Sequence, residues 1–300
     1  MRYFDLHCDT VSRAYKEKKS LYDGDLQINA LKAKNIKKYE QCFALWLSDE
    51  LRGEAAFSLC KKMLNYYETE MKPIIDIGTD ISAHLTIENG SALGGDIGRV
   101  QYFKEKGVKL MSLTWNGEND LASGVHASGG LKALGREAVR EMARLNITLD
   151  VSHLNEKSFY EVCLIDSIKI VATHSNCYDI CPHKRNLKKW QVRELISRGG
   201  LIGLNFYPPF LGTGRFSVFE KIRENIGYLL SLGGEDSIAF GSDFDGADMA
   251  PQLDGIDKVG TLYEYLLSKG MSRRVVEKIF YENAESIMNC STGASPAMLF

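Results

Sequence analysis

Arg2-Tyr3-Phe4-Asp5-Leu6-His7-Cys8-Asp9-Thr10 stands almost at the start of the chain, a short apolar run that closes on His7 and Asp9. In a strand, positions i and i+2 share a face. The stretch therefore predicts a strand over Tyr3–Leu6 whose end brings an imidazole and a carboxylate toward one point. That is half of a site for a cation such as zinc. Cys8 falls on the opposite face and is expected in the core. Taken alone, a His-x-Asp pair is more often a surface pair or a capped turn; its weight comes from what recurs downstream.

Seven further apolar or β-branched runs follow the first: Gln41–Leu47, Ser82–Ile87, Val108–Leu113, Ile147–Val151, Ile170–Thr173, Leu201–Asn205 and Ile238–Gly241. Between them lie stretches of helical period, Gly53–Met71, Leu134–Leu145, Glu156–Ile165, Lys189–Ser197, Ser217–Leu232 and Val259–Lys269. A last helix is expected over Ser272–Met288, with Ser272 as its N-cap. Alternating strands and helices imply a parallel sheet. Eight units in 300 residues imply a closed (β/α)8 TIM-type barrel in a single domain, residues 1–290, followed by a tail over 291–300. An open doubly wound sheet is the runner-up, but no Gly-x-Gly-x-x-Gly follows any strand. Residues 14–40 are expected to be a polar, Lys-rich insertion of helix and loop.

The composition, 44% hydrophobic and 25% charged with a net charge of −2, is that of an ordinary globular enzyme-sized chain. Acids and bases are interleaved, so no basic face for nucleic acid and no membrane segment is expected. Seven cysteines at scattered spacing argue against a disulfide framework and for a cytoplasmic setting.

In a barrel, functional groups gather at the C-terminal ends of the strands. His7 and Asp9 end the first strand, Glu88 the third, His153 the fifth, His174 the sixth and Asp243 the eighth. The chain has only six histidines, and three stand at these ends. Such a set is enough for two metal ions: His7, Asp9 and Glu88 around one, Glu88, His153 and His174 around the other. A bridging glutamate would hold the ions about 3.5–4 Å apart, and a water between them would ionise near neutral pH to supply the attacking hydroxide. The alternative is a set of buried, hydrogen-bonded polar residues with no metal.

At these residues the chain resembles the renal, or membrane, dipeptidase family of metallopeptidases, here in its bacterial form. The resemblance runs from about residue 3 to residue 285. It rests on His7-x-Asp9, Glu88-Asn89-Gly90, Leu113-Thr114-Trp115-Asn116, Val151-Ser152-His153, Thr173-His174-Ser175, Arg185-Asn186, Gly203-Leu204-Asn205-Phe206-Tyr207 and Gly241-Ser242-Asp243-Phe244-Asp245-Gly246. It implies a zinc-dependent (β/α)8 barrel with two Zn2+ per chain that hydrolyses dipeptides, C-terminal D-residues included. It leaves a homodimer open. By the same similarity His7 and Asp9 look like ligands of one zinc, His153 and His174 of the other, and Glu88 the bridge.

The resemblance further implies that Arg185 binds the substrate's free carboxylate, for which a guanidinium fork is suited. The plain alternative is a solvated member of the basic run His183-Lys184-Arg185. Asp243 would orient the substrate amine or pass a proton to the leaving amine, or serve its turn, a job that suits Asp245 better. One position departs from the family: Trp115 stands where many members have a histidine that steadies the tetrahedral intermediate. Indole donates one hydrogen bond and carries no charge. His126, in the Gly/Ser/Ala-rich and expectedly mobile loop 117–130, is a candidate replacement or else a loop histidine. Tyr207, in Phe206-Tyr207-Pro208-Pro209-Phe210, is a candidate wall for the substrate or lid packing. His84 is expected to be a core histidine and His183 a solvated one. Two rivals stay open: a two-metal barrel acting on a lactone or another amide, and a non-catalytic relative.

Overall fold

A computed structural model describes residues 1–78, 81–214 and 217–289; the expected tail lies outside them. All eight expected strands are present: β1 (Arg2–Cys8), β2 (Lys38–Trp46), β3 (Ile81–Glu88), β4 (Val108–Ser112), β5 (Thr148–Asp150), β6 (Ile170–Val171), β7 (Ile202–Leu204) and β8 (Ile238–Phe240). They pair in parallel in the order β6-β5-β4-β3-β2-β1-β8-β7. The remaining gap closes just past β6, where Ala172 bridges Ile202. There Ala172 N–H donates to Leu201 O at 2.8 Å and Gly203 N–H to Ala172 O at 2.8 Å. The result is a (β/α)8 barrel with its helices outside.

The helices follow the apolar period with three differences. Gly53–Tyr66 does not stop at Met71 but runs through a π-helical turn, Tyr67–Met71, into Lys72–Gly78. Gly98–Glu105 forms a helix that its weak apolar stripe did not announce. The insertion expected over 14–40 is shorter, because the helix Thr10–Glu17 starts directly after Asp9 and β2 already begins at Lys38. Ser272 caps the last helical stretch as expected, its hydroxyl accepting from Val275 N–H. Among the described residues no helix is long and apolar enough to cross a membrane.

One irregularity in β1 decides where the rim residues point. Phe4 and Leu6 belong to the small apolar cluster that fills the barrel, together with Cys42, Leu110, Val171 and Ala239. Strict alternation from them would turn Cys8 inward and His7 outward. Asp5, however, pairs with Gln41 and Cys8 with Phe43, so β1 carries one extra residue at this point. Such a bulge re-aims side chains. Cys8 joins the larger cluster between strands and helices, and His7 and Asp9 face the rim. The other end of the barrel is stoppered by the C-terminal helix, where Tyr281 donates its hydroxyl to Glu40 and Glu40 meets His84 Nε2 at 2.8 Å.

Candidate metal centre

At the C-terminal ends of the strands, side chains from all eight strand ends and the loops after them line a cleft of about 730 Å³. Glu88, the last residue of β3, stands at its floor between two groups of donors. Its Oε2 lies 3.5 Å from His7 Nε2, and its Oε1 lies 2.6 Å from His153 Nε2 and 3.6 Å from His174 Nε2. On the first side, His7 Nε2 is also 3.5 Å from Asp9 Oδ2 and 3.9 Å from Asp243 Oδ1. His7, Asp9 and Asp243 offer their atoms to one point, as do Glu88, His153 and His174. The structure thus brings all five residues of the sequence-derived ligand set onto one rim and adds Asp243 to the first group.

The outer partners fix which imidazole nitrogen faces the cleft. Asn116 Oδ1, an acceptor, lies 3.0 Å from His153 Nδ1, so Nδ1 donates and Nε2 is left with its lone pair. Thr173 donates its hydroxyl to Asp150 Oδ2 at 2.6 Å, so its oxygen accepts from His174 Nδ1 at 2.8 Å. Asp150 Oδ1 also takes Ser152 N–H and Thr173 N–H, each at 3.0 Å, locking the β5 and β6 ends together. Oriented imidazoles of this kind are the usual surroundings of a metal ligand. As a consequence His153 Nε2 and His174 Nε2 approach to 2.8 Å, both as acceptors; Arg185 Nη2 donates to the first at 3.1 Å, and among the described residues no donor meets the second. On the other side, His7 Nε2 and Asp9 Oδ1 are buried with no hydrogen-bond partner. Such groups are costly unless something else satisfies them.

The charges reinforce the point. Burial works against a charged His7, yet Glu88, Asp9 and Asp243 outweigh it and push its pKa up to about 10. Burial, then Arg185 and His7, holds His153 well below the ordinary imidazole range; burial, then His7 and Arg185, does the same to His174. Burial, with Asp9 adding repulsion, raises Glu88 and Asp243 above the usual carboxylate range. A concentration of shifts this large in one cleft marks functional sites.

Around this centre the other sequence candidates take distinct places. Arg185 is buried and lines the cleft, not solvated. Its guanidinium donates to the Ser152 carbonyl, to His174 O at 3.2 Å and to His153 Nε2 at 3.1 Å, and lies over the Phe210 ring. Among the described residues it forms no ion pair with a carboxylate. Asp243, in left-handed backbone at φ 66°, is held through Oδ2 by Asn205 Nδ2 at 3.0 Å. Asp245 does not bond within its own turn but ties it to the segment after β1: its oxygens take Thr10 Oγ1 at 2.6 Å and Gln27 N–H at 2.7 Å. Trp115 stacks edge-on against Trp46, 5.1 Å between centroids, and the pair walls the cleft. Tyr207 and His126 line it too, His126 exposed at the mouth.

Two expectations need correction. The loop 117–130 is pinned: Asn119 donates to Leu113 O at 2.7 Å and accepts from Leu121 N–H at 2.8 Å, and Val125 N–H donates to His153 O at 3.0 Å. His183 is no solvated bystander but packs on Phe210, 4.5 Å between rings, at the cleft edge. His84 meets its expectation as a packed and hydrogen-bonded residue: it is bonded to Glu40 and stacked on Phe4 at 5.3 Å. Sequence reasoning missed Asn116, Asp150, Thr173 and Asn205; an acid inside a buried strand, Asp150, was the signal available.

The pattern that defines the membrane dipeptidase family, peptidase family M19, matches residues 1–294. The chain belongs to that family. An uncharacterized Klebsiella pneumoniae protein is 34% identical over 209 residues, 66% of this chain and 77% of its own. A dipeptidase of Aspergillus oryzae is 29% identical over 199 residues, 64% of this chain and 47% of its own, so the chain spans about half the length of that relative. The crystal structure of dipeptidase AC, a metallopeptidase of family M19, superposes with a TM-score of 0.87 at 24% identity, covering 98% of this chain and 99% of the other. A Rhodobacter sphaeroides metallopeptidase, liganded with a phosphinate mimic of the dipeptide L-Ala-D-Ala, does so at 0.85 and 24%, covering 96% and 99%. These two likenesses speak for the family fold.

Proposed function

We propose that this chain is a zinc-dependent dipeptidase with a two-ion centre, His7, Asp9 and Glu88 holding one ion and Glu88, His153 and His174 the other, and that it accepts dipeptides with a C-terminal D-residue. The observation that carries the reading is the pair of facing acceptors, His153 Nε2 and His174 Nε2, beside the orphaned His7 Nε2 and Asp9 Oδ1. Cations at these two points would satisfy His174 Nε2, His7 Nε2 and Asp9 Oδ1, and the imidazole and carboxylate chemistry suits zinc. When bound, a zinc pair supplies Lewis acidity and a water that ionises near neutral pH.

The chain's own residues do the rest. Arg185, buried without an anionic partner among the described residues, takes the free C-terminal carboxylate, and so restricts substrates to very short peptides. Asp243, pushed up by burial and steadied by Asn205, accepts the substrate ammonium or hands a proton to the leaving amine. Trp115, with Trp46 behind it, and Tyr207 form apolar walls. His126 is the imidazole at the mouth that can reach the substrate in place of the family histidine. The six cysteines among the described residues are unpaired and scattered, which fits a cytoplasmic setting.

The test is hydrolysis of L-L and L-D dipeptides by the zinc-reconstituted protein, with N-acetylated and C-amidated controls read by ninhydrin. Turnover abolished by C-amidation is expected. Absence of turnover on every dipeptide with two zinc ions bound would overturn the reading.

A further inference from the structure

We propose that Gly246 is a positioning residue for the first ion, its missing Cβ being what allows Asp9 and Asp243 to aim at one point. The inference rests on the two-ion reading above. A Cβ built at position 246 would lie 2.0 Å from Asp9 Oδ2 and 2.8 Å from Asp243 Oδ1. These are the oxygens that approach His7 Nε2 at 3.5 and 3.9 Å. The turn itself does not ask for glycine. Asp243 and Asp245 have left-handed φ angles, but Gly246 does not. An alanine there therefore pays no backbone strain. What position 246 demands is space.

The surrounding bonds decide which group yields when that space is filled. The backbone cannot retreat, because Asp245 is tied on both sides. Its carboxylate takes Thr10 Oγ1 and Gln27 N–H, and its own N–H donates to Gln27 Oε1 at 2.5 Å. Asp9 N–H, in turn, is held by Phe244 O at 2.8 Å. The group free to move is the Asp9 carboxylate, which has two torsions and an oxygen, Oδ1, without a hydrogen-bond partner. A methyl at position 246 turns it away from His7 and leaves the fold intact. The second group is untouched, since Asn116 and Thr173 anchor His153 and His174 independently. The inference therefore predicts loss of one ion of two.

The experiment is zinc stoichiometry and titration of Gly246→Ala, with metal-free melting and far-UV circular dichroism alongside. Wild type is expected to hold two ions per chain. Gly246→Ala should keep one at wild-type affinity and bind the other at least about tenfold more weakly. Asp9→Ala should lose the same ion, and adding Gly246→Ala to it should change little further, since the atom struck hardest is gone and only the tip of Asp243, 2.8 Å from the added Cβ, is left to shift. If Gly246→Ala does not fold alone but folds in the Asp9→Ala background, the clash is with Asp9 and the proposal stands; failure in both overturns it. Two ions of equal affinity in wild type and Gly246→Ala overturn the role of Gly246 alone. Fewer than two ions in wild type overturn the reading of the site.

Discussion

The two ends of the barrel carry the same pair of residue types and put them to opposite uses. At the closed end, Glu40 meets His84 Nε2 at 2.8 Å; at the open end, Glu88 meets His153 Nε2 at 2.6 Å. Glu40 is complemented on every side. Its other oxygen takes the Tyr281 hydroxyl and faces Lys38 Nζ at 3.5 Å, and Lys38 goes on to Glu285 at 2.9 Å. Burial works against the Glu40 anion, yet the bonds from His84 and Tyr281 hold its pKa down at about 2. Glu88 is buried, with Asp9 and Asp243 adding repulsion, and its pKa rises. A histidine beside a glutamate is thus no sign of a metal. What separates the ends is complementarity: donors meet acceptors at one, while at the other acceptors outnumber the donors that reach them and favour a cation.

The strongest way to break this comparison is to make the same substitution at both ends. Glu88→Gln should lose both ions and lower kcat/KM by at least about 10³-fold, since one residue serves both groups. Glu40→Gln should keep both ions and activity, and lower only the melting temperature. Next in size is Arg185→Ala, which should raise KM for free dipeptides by about 10²-fold and leave already poor C-amidated substrates unchanged. Steady-state kinetics on both substrate types separates this from a general loss.

The pH response sharpens the contrast. In the metal-free protein the folded pKa of His7, about 10, lies above its ordinary 6.5. Its proton therefore stabilises that fold fully below about 6.5, and the gain is lost as pH rises through about 10. Glu40, held down at about 2, contributes stability above its ordinary 4.5 that is lost as pH falls toward 2. Melting of metal-free protein should consequently weaken at both extremes. Glu40→Gln should flatten the acid limb alone, and zinc, by displacing the His7 proton, the alkaline limb alone. The smallest effect belongs to His126→Ala, expected to lower kcat by about tenfold; a loss under twofold would remove His126 from the reaction.

Much of the open end could be read before any coordinates, because strand ends are visible in sequence. Glu88, His153, His174 and Asp243 each follow an apolar run that packing forces into the barrel. His7 and Asp9 reached the rim for a reason the alternation did not supply, since a one-residue bulge leaves no mark in composition. Trp115 was legible as a departure, but its stacking on Trp46 was not, because the two meet only through the β2–β3–β4 register. The burial of Arg185 and the packing of His183 depend on where the loop after β6 folds back. Gly98–Glu105 is helical on the strength of its burial of Val100 and Phe103 against the barrel, and local pattern alone could not say so. The need for space at Gly246 exists only once β1 and the loop after β8 are side by side.

The most direct test of the central claim is an anomalous difference map at the zinc edge from crystals of the zinc-reconstituted protein. Two peaks are expected, about 3.5–4 Å apart on either side of Glu88, with none between Glu40 and His84. A single peak, or density at the closed end, would contradict the account.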